Sequence, residues 1–406
     1  MSTHTTEPTG SSEPAEGAER HGGLPLAALL ALATAVFVTS LTETLPAGVL
    51  PAMSADLGVG ESAMGQSVTV YAIGTAVTAI PLSAATAGWR RKRLLLTAMA
   101  GFAAANTVTA VSTDYSLTMA ARFVAGVAAG LAWALLAGYA RRLAPAHLQG
   151  RAIAIVMTGI PVALSLGVPA GTFLGEVLGW RVTFTLMTVL AVALLGWIAA
   201  GVPDQPGQRR GAAGRIPVLR VLTVPGVTPI LFVTLVFVLA HTILYTYIAT
   251  FLDGLGMGGS TDLVLLVFGV ASLAGIWFVG ARIDRRLRAL TLASALLVAV
   301  SAALLAVPAD SPALVYASVA LWGLGWGGAP TLLQTAVTDA GGDSADAAQA
   351  ALVTLWNAAM AGGGVAGGVL LDHLGTGSLP WSALLLLIPV VVVVARGQGF
   401  PAGGER

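Results

Sequence analysis

The sequence predicts an all-α integral membrane protein, on the basis of its composition and of the length of its apolar runs. Of the 406 residues, 56% are hydrophobic and only 10% are charged, whereas soluble domains carry about 25% charged residues. The apolar runs recur at about 20 residues, the length that a helix needs to cross a bilayer core about 30 Å thick. Their length and their lack of period-2 alternation exclude barrel strands. Twelve runs are predicted as membrane-spanning helices, at 24–51, 64–87, 94–112, 117–140, 152–175, 182–201, 223–251, 262–281, 289–308, 312–336, 347–371 and 379–396.

Both ends of the chain are predicted as tails outside the membrane. Residues 1–23 are polar and rich in Thr, Ser, Glu and Pro, which predicts a disordered cytoplasmic tail, and 397–406 form a short C-terminal tail. No basic segment with a small-residue cleavage site precedes the first run, so we expect its helix to be retained in the protein. Cysteine is absent, which excludes disulfides and cysteine metal sites.

The distribution of charge predicts the orientation in the membrane. Although the net charge is only +1, fifteen of the twenty basic residues lie in loops that follow even-numbered runs. By the positive-inside rule these loops are cytoplasmic, and so are both termini. The loop with Asp339, Asp343 and Asp346 is acidic and departs from this pattern. The simplest explanation of the arginine clusters is that they only determine the orientation of the helices in the membrane.

The two halves of the chain resemble each other. Residues 73–93 align without a gap with 268–288 at a shift of 195, and 170–179 align with 366–375 at a shift of 196. A shift of six helices preserves the orientation, so the halves are parallel repeats.

These repeats predict two six-helix bundles, at 24–201 and 223–396, joined by a cytoplasmic linker at 202–222. Two such bundles about an axis normal to the membrane, with a substrate held between them, are a recurring plan of secondary transporters.

Several motifs together resemble the major facilitator superfamily, specifically its twelve-helix drug and sugar:proton antiporter branch, which includes arabinose and chloramphenicol efflux proteins. The first-helix signature of that branch resembles "TETLPAGVLPAMSADLGV" (42–59), and its helix 4 arginine motif resembles "ARFVAGVAAG" (121–130). Two further stretches are similar to this branch, "HTILYTYIATFL" (241–252) and "LWNAAMAGGG" (355–364). The resemblance covers roughly 24–396 and implies the superfamily's fold and a transport function.

A basic loop resembles part of the superfamily's cytoplasmic gate. "GWRRKRLLL" (88–96) is similar to the basic half of the loop between helices 2 and 3, but the aspartate usual there has no counterpart, and Ala87 stands near its place. The repeat copy keeps a Gly-x-x-x-Asp-Arg arrangement. The resemblance implies an altered or weaker gate latch, with arginines that pair with acids on helix ends in the outward-open state. The gate residues are Arg90, Arg91, Lys92, Arg93, Gly280, Asp284 and Arg285.

The fifth run resembles the Gly- and Pro-rich helix 5 motif that is associated with antiporters. Small residues recur every four positions along it, and such a ridge lets helices approach closely in lipid. The two prolines interrupt the backbone hydrogen bonds and predict a bend. Tight packing is the simplest explanation, and the functional hypothesis is that bend and ridge set how the two halves rock. The residues concerned are Gly159, Pro161, Gly167, Pro169, Gly171 and Gly175.

Glu43 interrupts a run that is otherwise apolar from Leu24 to Met53. A charged acid inside a membrane is costly and is kept where it binds a cation or carries a proton, because a low dielectric brings the neutral form into use. Residues 22–42 alone are long enough to span, so a position at the outer interface is the alternative. The continuing apolar run, and Pro46, which predicts a break in the helix, favour a buried Glu43.

His241 is the repeat counterpart of Glu43. "LGVG" (57–60) matches "LGMG" (255–258) at a shift of 198, which places His241 opposite Glu43. It is the only histidine inside a predicted span, and its unperturbed pKa of about 6.5 suits proton transfer. We hypothesise that the two residues form a coupled pair that binds protons and senses substrate. The alternative is a hydrogen-bonded packing histidine.

Arg122 lies about two turns inside the fourth run. It either extends outward to the membrane surface or balances the charge of Glu43, and the resemblance to the helix 4 motif favours the second. Polar and aromatic side chains elsewhere are candidates for the cavity, although each alone is more often structural. Such a lining suits a neutral or weakly charged amphipathic solute. The candidates are Tyr71, Asn106, Trp133, Tyr245, Tyr247, Trp326, Gln334, Trp356 and Asn357.

The sequence lacks the motifs of other energy sources and of enzymes. Lys92 is the only lysine, and no Gly-Lys-Ser/Thr phosphate-binding loop is present, so an ion gradient is the only intrinsic driving force. No metal-ligand spacing, catalytic triad or dinucleotide fingerprint appears. We therefore expect no enzymatic activity, no metal, no cofactor and no nucleic-acid partner.

The leading interpretation is proton-coupled efflux of a small organic molecule by alternating access, with an antibiotic, a sugar or another metabolite as the solute. The Ala-, Gly- and Arg-rich composition is typical of a GC-rich bacterium, so we expect a multi-pass protein of the bacterial inner (plasma) membrane. We also expect a monomer and a role in antibiotic resistance. Proton-coupled uptake or facilitated diffusion of a nutrient is the first alternative. A membrane sensor without transport is the second.

Overall fold

The computed structural model describes residues 24–86, 88–145, 148–207, 222–307 and 311–400, and within these ranges the regular structure is helical, with no strand. The predicted N-terminal tail lies outside the described residues, as do Ala87, 208–221 of the predicted linker and 401–406. A backbone in lipid must satisfy its own hydrogen bonds, which is why long apolar runs of this composition become helices.

The helices follow the predicted runs to within a few residues. Consecutive segments share a label where the residue between them keeps a helical or near-helical backbone, as Thr158, Tyr247 and Gly328 do. They are α1 (Leu26–Leu57), α2 (Glu61–Thr86), α3 (Arg91–Val111), α4 (Tyr115–Leu143), α5 (Gln149–Met157, Gly159–Val162, the π-helical turn Ala163–Gly167 and Val168–Leu178), α6 (Trp180–Gly201), α7 (Val227–Thr246 and Ile248–Gly254), α8 (Thr261–Gly280), α9 (Ile283–Ala306), α10 (Pro312–Gly327 and Ala329–Gly341), α11 (Ala345–Leu374) and α12 (Ser378–Ala395).

Ten helices within the described ranges are long and apolar enough to cross a membrane. α2 and α10 are not among the ten, so the count of twelve spans and the cytoplasmic position of both termini stay predictions. The predicted all-α membrane class is confirmed.

The predicted break at Pro46 is wrong. α1 continues without interruption through Pro46 and Pro51 and ends at Gly58, whose φ of 65° stops the helix. Membrane helices accommodate proline because neighbouring groups take over the freed backbone hydrogen bonds. At the place of the bend predicted in α5, the structure has a π-helical turn at 163–167, between Pro161 and Pro169.

Equivalent glycines hold equivalent helix pairs together in the two halves. A Cβ on Gly126 of α4 would collide with the carbonyl of Tyr71 on α2, and one on Gly323 of α10 would collide with the carbonyl of Phe268 on α8. The second pair lies 197 residues after the first, so the repeat seen in the sequence recurs as the same close approach of helices.

The two halves pack together at one end of the molecule, the end where α1 finishes and α2 begins. There Gln66 Nε2 donates to Gly364 O (3.3 Å) and Thr69 Oγ1 to Ala361 O (3.1 Å), which joins α2 to α11. Buried residues from this end of α1 belong to the same apolar cluster as α7 and α8. The opposite end of the N-terminal half has an apolar cluster of its own. On the predicted orientation, the closed end is the outer one.

The small-residue face of α5 packs against α1 within the N-terminal half. A Cβ on Gly171 would lie 2.5 Å from Leu45 Cδ1, and one on Gly175 would lie 2.6 Å from Val49 Cγ1. α5 also contacts the other half, where its π-helical turn and the segment Val168–Leu178 both pack against α8, and at the turn Gly269 of α8 abuts Ser165. The ridge glycines themselves face α1, and the hypothesis that the ridge controls rocking between the halves stays a prediction.

Candidate functional site

Glu43 lies near the middle of α1. It is seventeen residues after Leu26 and fourteen before Leu57, about 25 Å and about 21 Å along a helix that rises 1.5 Å per residue. Its neighbours Thr42 and Leu45 are buried, whereas Glu43 itself is partly accessible and is surrounded by protein. This geometry favours the interior position over the outer interface.

Arg122 faces the same region from α4. It is only 1% exposed, its guanidinium lies 4.9 Å from the centroid of the Tyr71 ring, and it does not extend to the surface. None of its three side-chain nitrogens has a hydrogen-bond partner among the described residues. It interacts electrostatically with Glu43, but the two side chains do not form a direct ion pair.

α2 and α4 together place Tyr71 beneath Arg122. The close approach at Gly126 brings the two helices together, and Thr75 Oγ1 strengthens this contact by donating to Gly126 O at 3.0 Å. The hydroxyl of Tyr71 donates to Thr39 O on α1 at 3.3 Å. The aromatic face under the arginine is therefore fixed by three helices.

Two buried polar atoms without partners lie on residues that contact Thr42 or interact electrostatically with Glu43. Asn106 Nδ2 donates to Thr42 Oγ1 at 3.3 Å, but its Oδ1 is buried and unpaired among the described residues. The hydroxyl of Tyr245 is also buried without a partner and lies within electrostatic range of Glu43. Together with Arg122, these groups can bind a polar solute or water, because buried polar groups normally find a partner.

His241 lies in an aromatic cluster made of His241, Tyr245, Phe268, Trp322 and Trp326. Its ring stacks on Trp326 with centroids 3.5 Å apart and planes 5° from parallel, and on Tyr245 at 5.2 Å. Phe237 and Trp356 extend the cluster, each 5.6 Å from Trp326. Tyr245 therefore stacks on His241 and lies within electrostatic range of Glu43, whereas no direct contact joins His241 to Glu43 among the described residues.

The hydrogen bond to His241 defines the form of its ring. Trp322 Nε1 donates to His241 Nδ1 at 3.1 Å. An indole N–H can only donate, so Nδ1 carries no proton in this arrangement, and the neutral ring holds its proton on Nε2. In this state His241 is a packed, hydrogen-bonded side chain, as in the alternative considered from the sequence.

Other predicted cavity residues lie elsewhere. Tyr247 is fully buried where the halves meet, and its hydroxyl donates to Gly364 O (2.8 Å) and Ser62 O (3.3 Å). Asn357 Nδ2 bonds to Val353 O of its own helix, and Gln334 is exposed. Trp133 packs against the apolar cluster of the N-terminal half. None of these four side chains makes a hydrogen bond or a ring contact with Glu43, Arg122 or His241 among the described residues.

Trp322 and Phe268 were missed from the sequence, although both contact His241. A signal for Trp322 was present, because it precedes Trp326 by four positions and such residues share one helix face. Phe268 corresponds to Tyr71 in the close approach of helices, at an offset of 197, whereas the sequence repeat pairs it with Ile73. A single aromatic residue in an apolar run carries no distinguishing pattern.

The basic segment 89–93, which leads into the first turn of α3, binds a segment that follows α6. Arg90 Nε and Asp204 Oδ2 lie 2.5 Å apart, and the Arg91 N–H donates to Gln205 O at 2.9 Å. Lys92 Nζ donates to Ala199 O at 2.7 Å, and Arg93 lies over the Trp89 ring.

Asp204 therefore supplies an acid to a loop that lacks its usual aspartate, and the sequence analysis missed it. In the repeat copy, Gly280 and Arg285 are exposed, and the side chain of Asp284 lies outside the part of the chain that the structure describes. Within that part, no group of three or more His, Asp or Glu side chains could hold a metal ion.

The fold and this site define a multi-pass membrane protein of the transporter class. The family described as Major Facilitator Superfamily matches residues 32–363, so the chain belongs to that superfamily. It is a transporter of small molecules rather than an enzyme.

Curated relatives cover most of the chain. It is 28% identical to the purine ribonucleoside efflux pump NepI of Escherichia coli over 91% of this chain and 93% of the relative. It is 27% identical to a probable sugar efflux transporter of Mannheimia succiniciproducens over 88% and 90%. It is 29% identical to the transcription regulatory protein OpdE of Pseudomonas aeruginosa over 92% and 95%.

Proposed function

We propose that this protein exports a small organic solute in exchange for protons by alternating access, with Glu43 as the proton-binding group. The observation that carries the proposal is the partly accessible carboxyl of Glu43 at the middle of α1, opposite the buried and unpaired guanidinium of Arg122. An ionisable group inside a membrane bundle indicates a functional site, because its burial has to be compensated.

Arg122 gives the coupling a physical basis. When Glu43 is ionised, its charge and that of Arg122 cancel within the site. When Glu43 takes a proton, the site gains one positive charge, and an unpaired N–H group of Arg122 becomes available to a solute. Protonation and solute binding thereby alter each other's free energy, which is what exchange requires.

The closed outer end supports an export cycle. The hydrogen bonds between α2 and α11 hold that end shut, and on the predicted orientation the site then opens towards the cytoplasm. A solute would enter from the cytoplasm, and a proton would enter after the outer end opens.

The names of two relatives support efflux of a nucleoside or a sugar as the solute class. We propose that the protein works as a monomer in a bacterial inner membrane, because one chain contains both halves of the site. Aromatic side chains beside a few polar groups suit a small solute with one planar or apolar face. Antibiotics of that shape are part of the proposal, and with them a role in antibiotic resistance.

An export panel tests the proposal. A bacterial host that lacks its own efflux pumps is loaded with inosine, arabinose or chloramphenicol, and the efflux rate is followed with and without the gene, before and after a protonophore. We expect efflux of at least one solute that the protonophore abolishes. Glu43→Gln should abolish it as well, whereas the exposed Glu176→Gln should not. Efflux of a panel solute that withstands both the protonophore and Glu43→Gln would refute the proton coupling.

Membrane vesicles that contain the protein separate the alternatives. Under an imposed pH gradient, solute movement with the protons indicates uptake, and movement against them indicates exchange. One relative is named as a transcription regulatory protein, so a sensor without transport is the remaining alternative. Solute binding with no solute-dependent proton flux would favour the sensor.

A further inference from the structure

The N-terminal half contains a cavity whose lining does not include Glu43. It lies where α2 ends and α3 and α5 begin, at the predicted cytoplasmic end, and has a volume of about 380 Å³. This volume falls within the range of about 300–1,000 Å³ that is usual for ligand pockets. Its lining combines apolar side chains such as Leu94, Leu131 and Leu135 with the arginines Arg91 and Arg142 and a third, Arg141.

Arg91 is the distinctive group in this cavity. Its side chain is only 8% exposed, lines the cavity and makes no hydrogen bond or ion pair with the described residues, although its backbone N–H bonds to Gln205 O. It is close enough to Arg142 for the two positive charges to interact unfavourably. Two guanidinium groups at this separation repel each other, and a bound anion would offset that repulsion.

The protein itself does not supply that anion from the described residues. Asp204 is the nearby acid, and it is engaged by Arg90 Nε at 2.5 Å and by the Lys92 N–H at 3.3 Å. Arg142 Nη1 donates to Pro206 O, a neutral carbonyl, at 2.8 Å. The cavity therefore retains an excess of positive charge.

We infer that this cavity binds a phosphate-bearing anion, either the headgroup of an anionic phospholipid or free phosphate. Guanidinium groups match phosphate oxygens through paired N–H donors, which makes arginine the preferred partner. Basic pockets between helices on the cytoplasmic side are suited to anionic headgroups, and the leucine walls provide a surface for the first part of an acyl chain. The inference does not depend on the proposed transport function.

A binding experiment on the purified full-length protein in a neutral detergent tests this inference. The probes are dioctanoyl phosphatidylglycerol and inorganic phosphate, and dioctanoyl phosphatidylcholine, which has no net charge, is the reference. The apparent Kd is obtained from the shift of the thermal unfolding midpoint with probe concentration. Tight binding of phosphatidylglycerol identifies the lipid headgroup as the occupant, whereas binding of inorganic phosphate alone identifies the free anion. Either result supports the inference.

Two kinds of variant show whether the cavity is the site. Arg91→Gln and Arg142→Gln should each weaken binding about ten-fold or more, since each removes a charge-assisted hydrogen bond. Arg93→Gln removes the same charge two positions away, outside the cavity lining, and should change Kd less than about two-fold. Gly138→Leu keeps all the arginines but fills the cavity, where an added Cβ meets no atom within 4 Å.

Gly138→Leu is expected to fold normally and to weaken binding about ten-fold, because leucine favours a helix more than glycine does. Three results would overturn the inference: neither probe binds better than phosphatidylcholine, Arg93→Gln weakens binding as much as Arg91→Gln, or Gly138→Leu binds as well as the parent.

Discussion

Removing the hydroxyl of Tyr247 should open the end at which the two halves meet. In the structure this hydroxyl donates to Gly364 O at 2.8 Å and to Ser62 O at 3.3 Å, and so connects α7 to both α11 and α2. Gly364 O also accepts from Gln66 Nε2, so Tyr247→Phe leaves that carbonyl with a partner. We therefore expect the removal of the hydroxyl to destabilise the closed end by the net free energy of a single hydrogen bond, about 1 kcal/mol. A change of this size raises the ratio of open to closed molecules about five-fold.

The absence of cysteine allows a direct measurement of this opening. Gly60→Cys and Gly377→Cys place spin labels on the two halves at positions where an added Cβ meets no atom within 4 Å. We expect Tyr247→Phe to increase the ratio of long to short inter-label distances about five-fold in pulsed electron resonance.

Tyr115→Phe is the matched control for this experiment, because its hydroxyl donates to Ala63 O at 2.9 Å within one half. It should leave the distances unchanged. An identical distance distribution in Tyr247→Phe and the parent, or an equal shift in Tyr115→Phe, would refute the reasoning.

Three further predictions concern packing and the basic loop. Trp322→Phe leaves the buried His241 Nδ1 without its donor, and we expect the free energy of unfolding to fall by about 1–3 kcal/mol, measured by denaturant titration of the purified protein. Gly269→Ala places a Cβ against the backbone of Ser165, so we expect a loss of folded, monodisperse protein in size-exclusion chromatography, whereas Gly196→Ala, where an added Cβ meets nothing, should behave as the parent. Asp204→Asn removes a largely exposed ion pair with Arg90 and should cost about 1 kcal/mol or less, and the cost should diminish in high salt.

The sequence was sufficient for the helices and for the residues nearest Glu43. In lipid, a long apolar run has one satisfactory backbone conformation, so the run lengths determine the helices closely. Glu43, Arg122 and His241 stood out because polar groups are costly in such runs, and the structure places them around Tyr71 and Tyr245.

The remaining features depend on contacts between distant parts of the chain. The effect of a proline on a helix depends on its neighbours, so Pro46 gave a wrong expectation of a break. Tyr247 is a polar aromatic residue of the kind that lines cavities, but packing between the halves buries its side chain where they meet. Asp204 lies in a polar segment after α6, and only folding brings it to Arg90. No pattern in the sequence indicated the contact between Asp204 and Arg90.

The most direct test of the central claim is solute accumulation driven by a pH gradient in proteoliposomes, with the solute that the export panel identifies. The account predicts that Glu43→Gln abolishes gradient-driven accumulation and retains solute exchange at equal pH, because the neutral side chain still permits alternating access but carries no proton. Accumulation by Glu43→Gln at the rate of the parent protein would contradict the account.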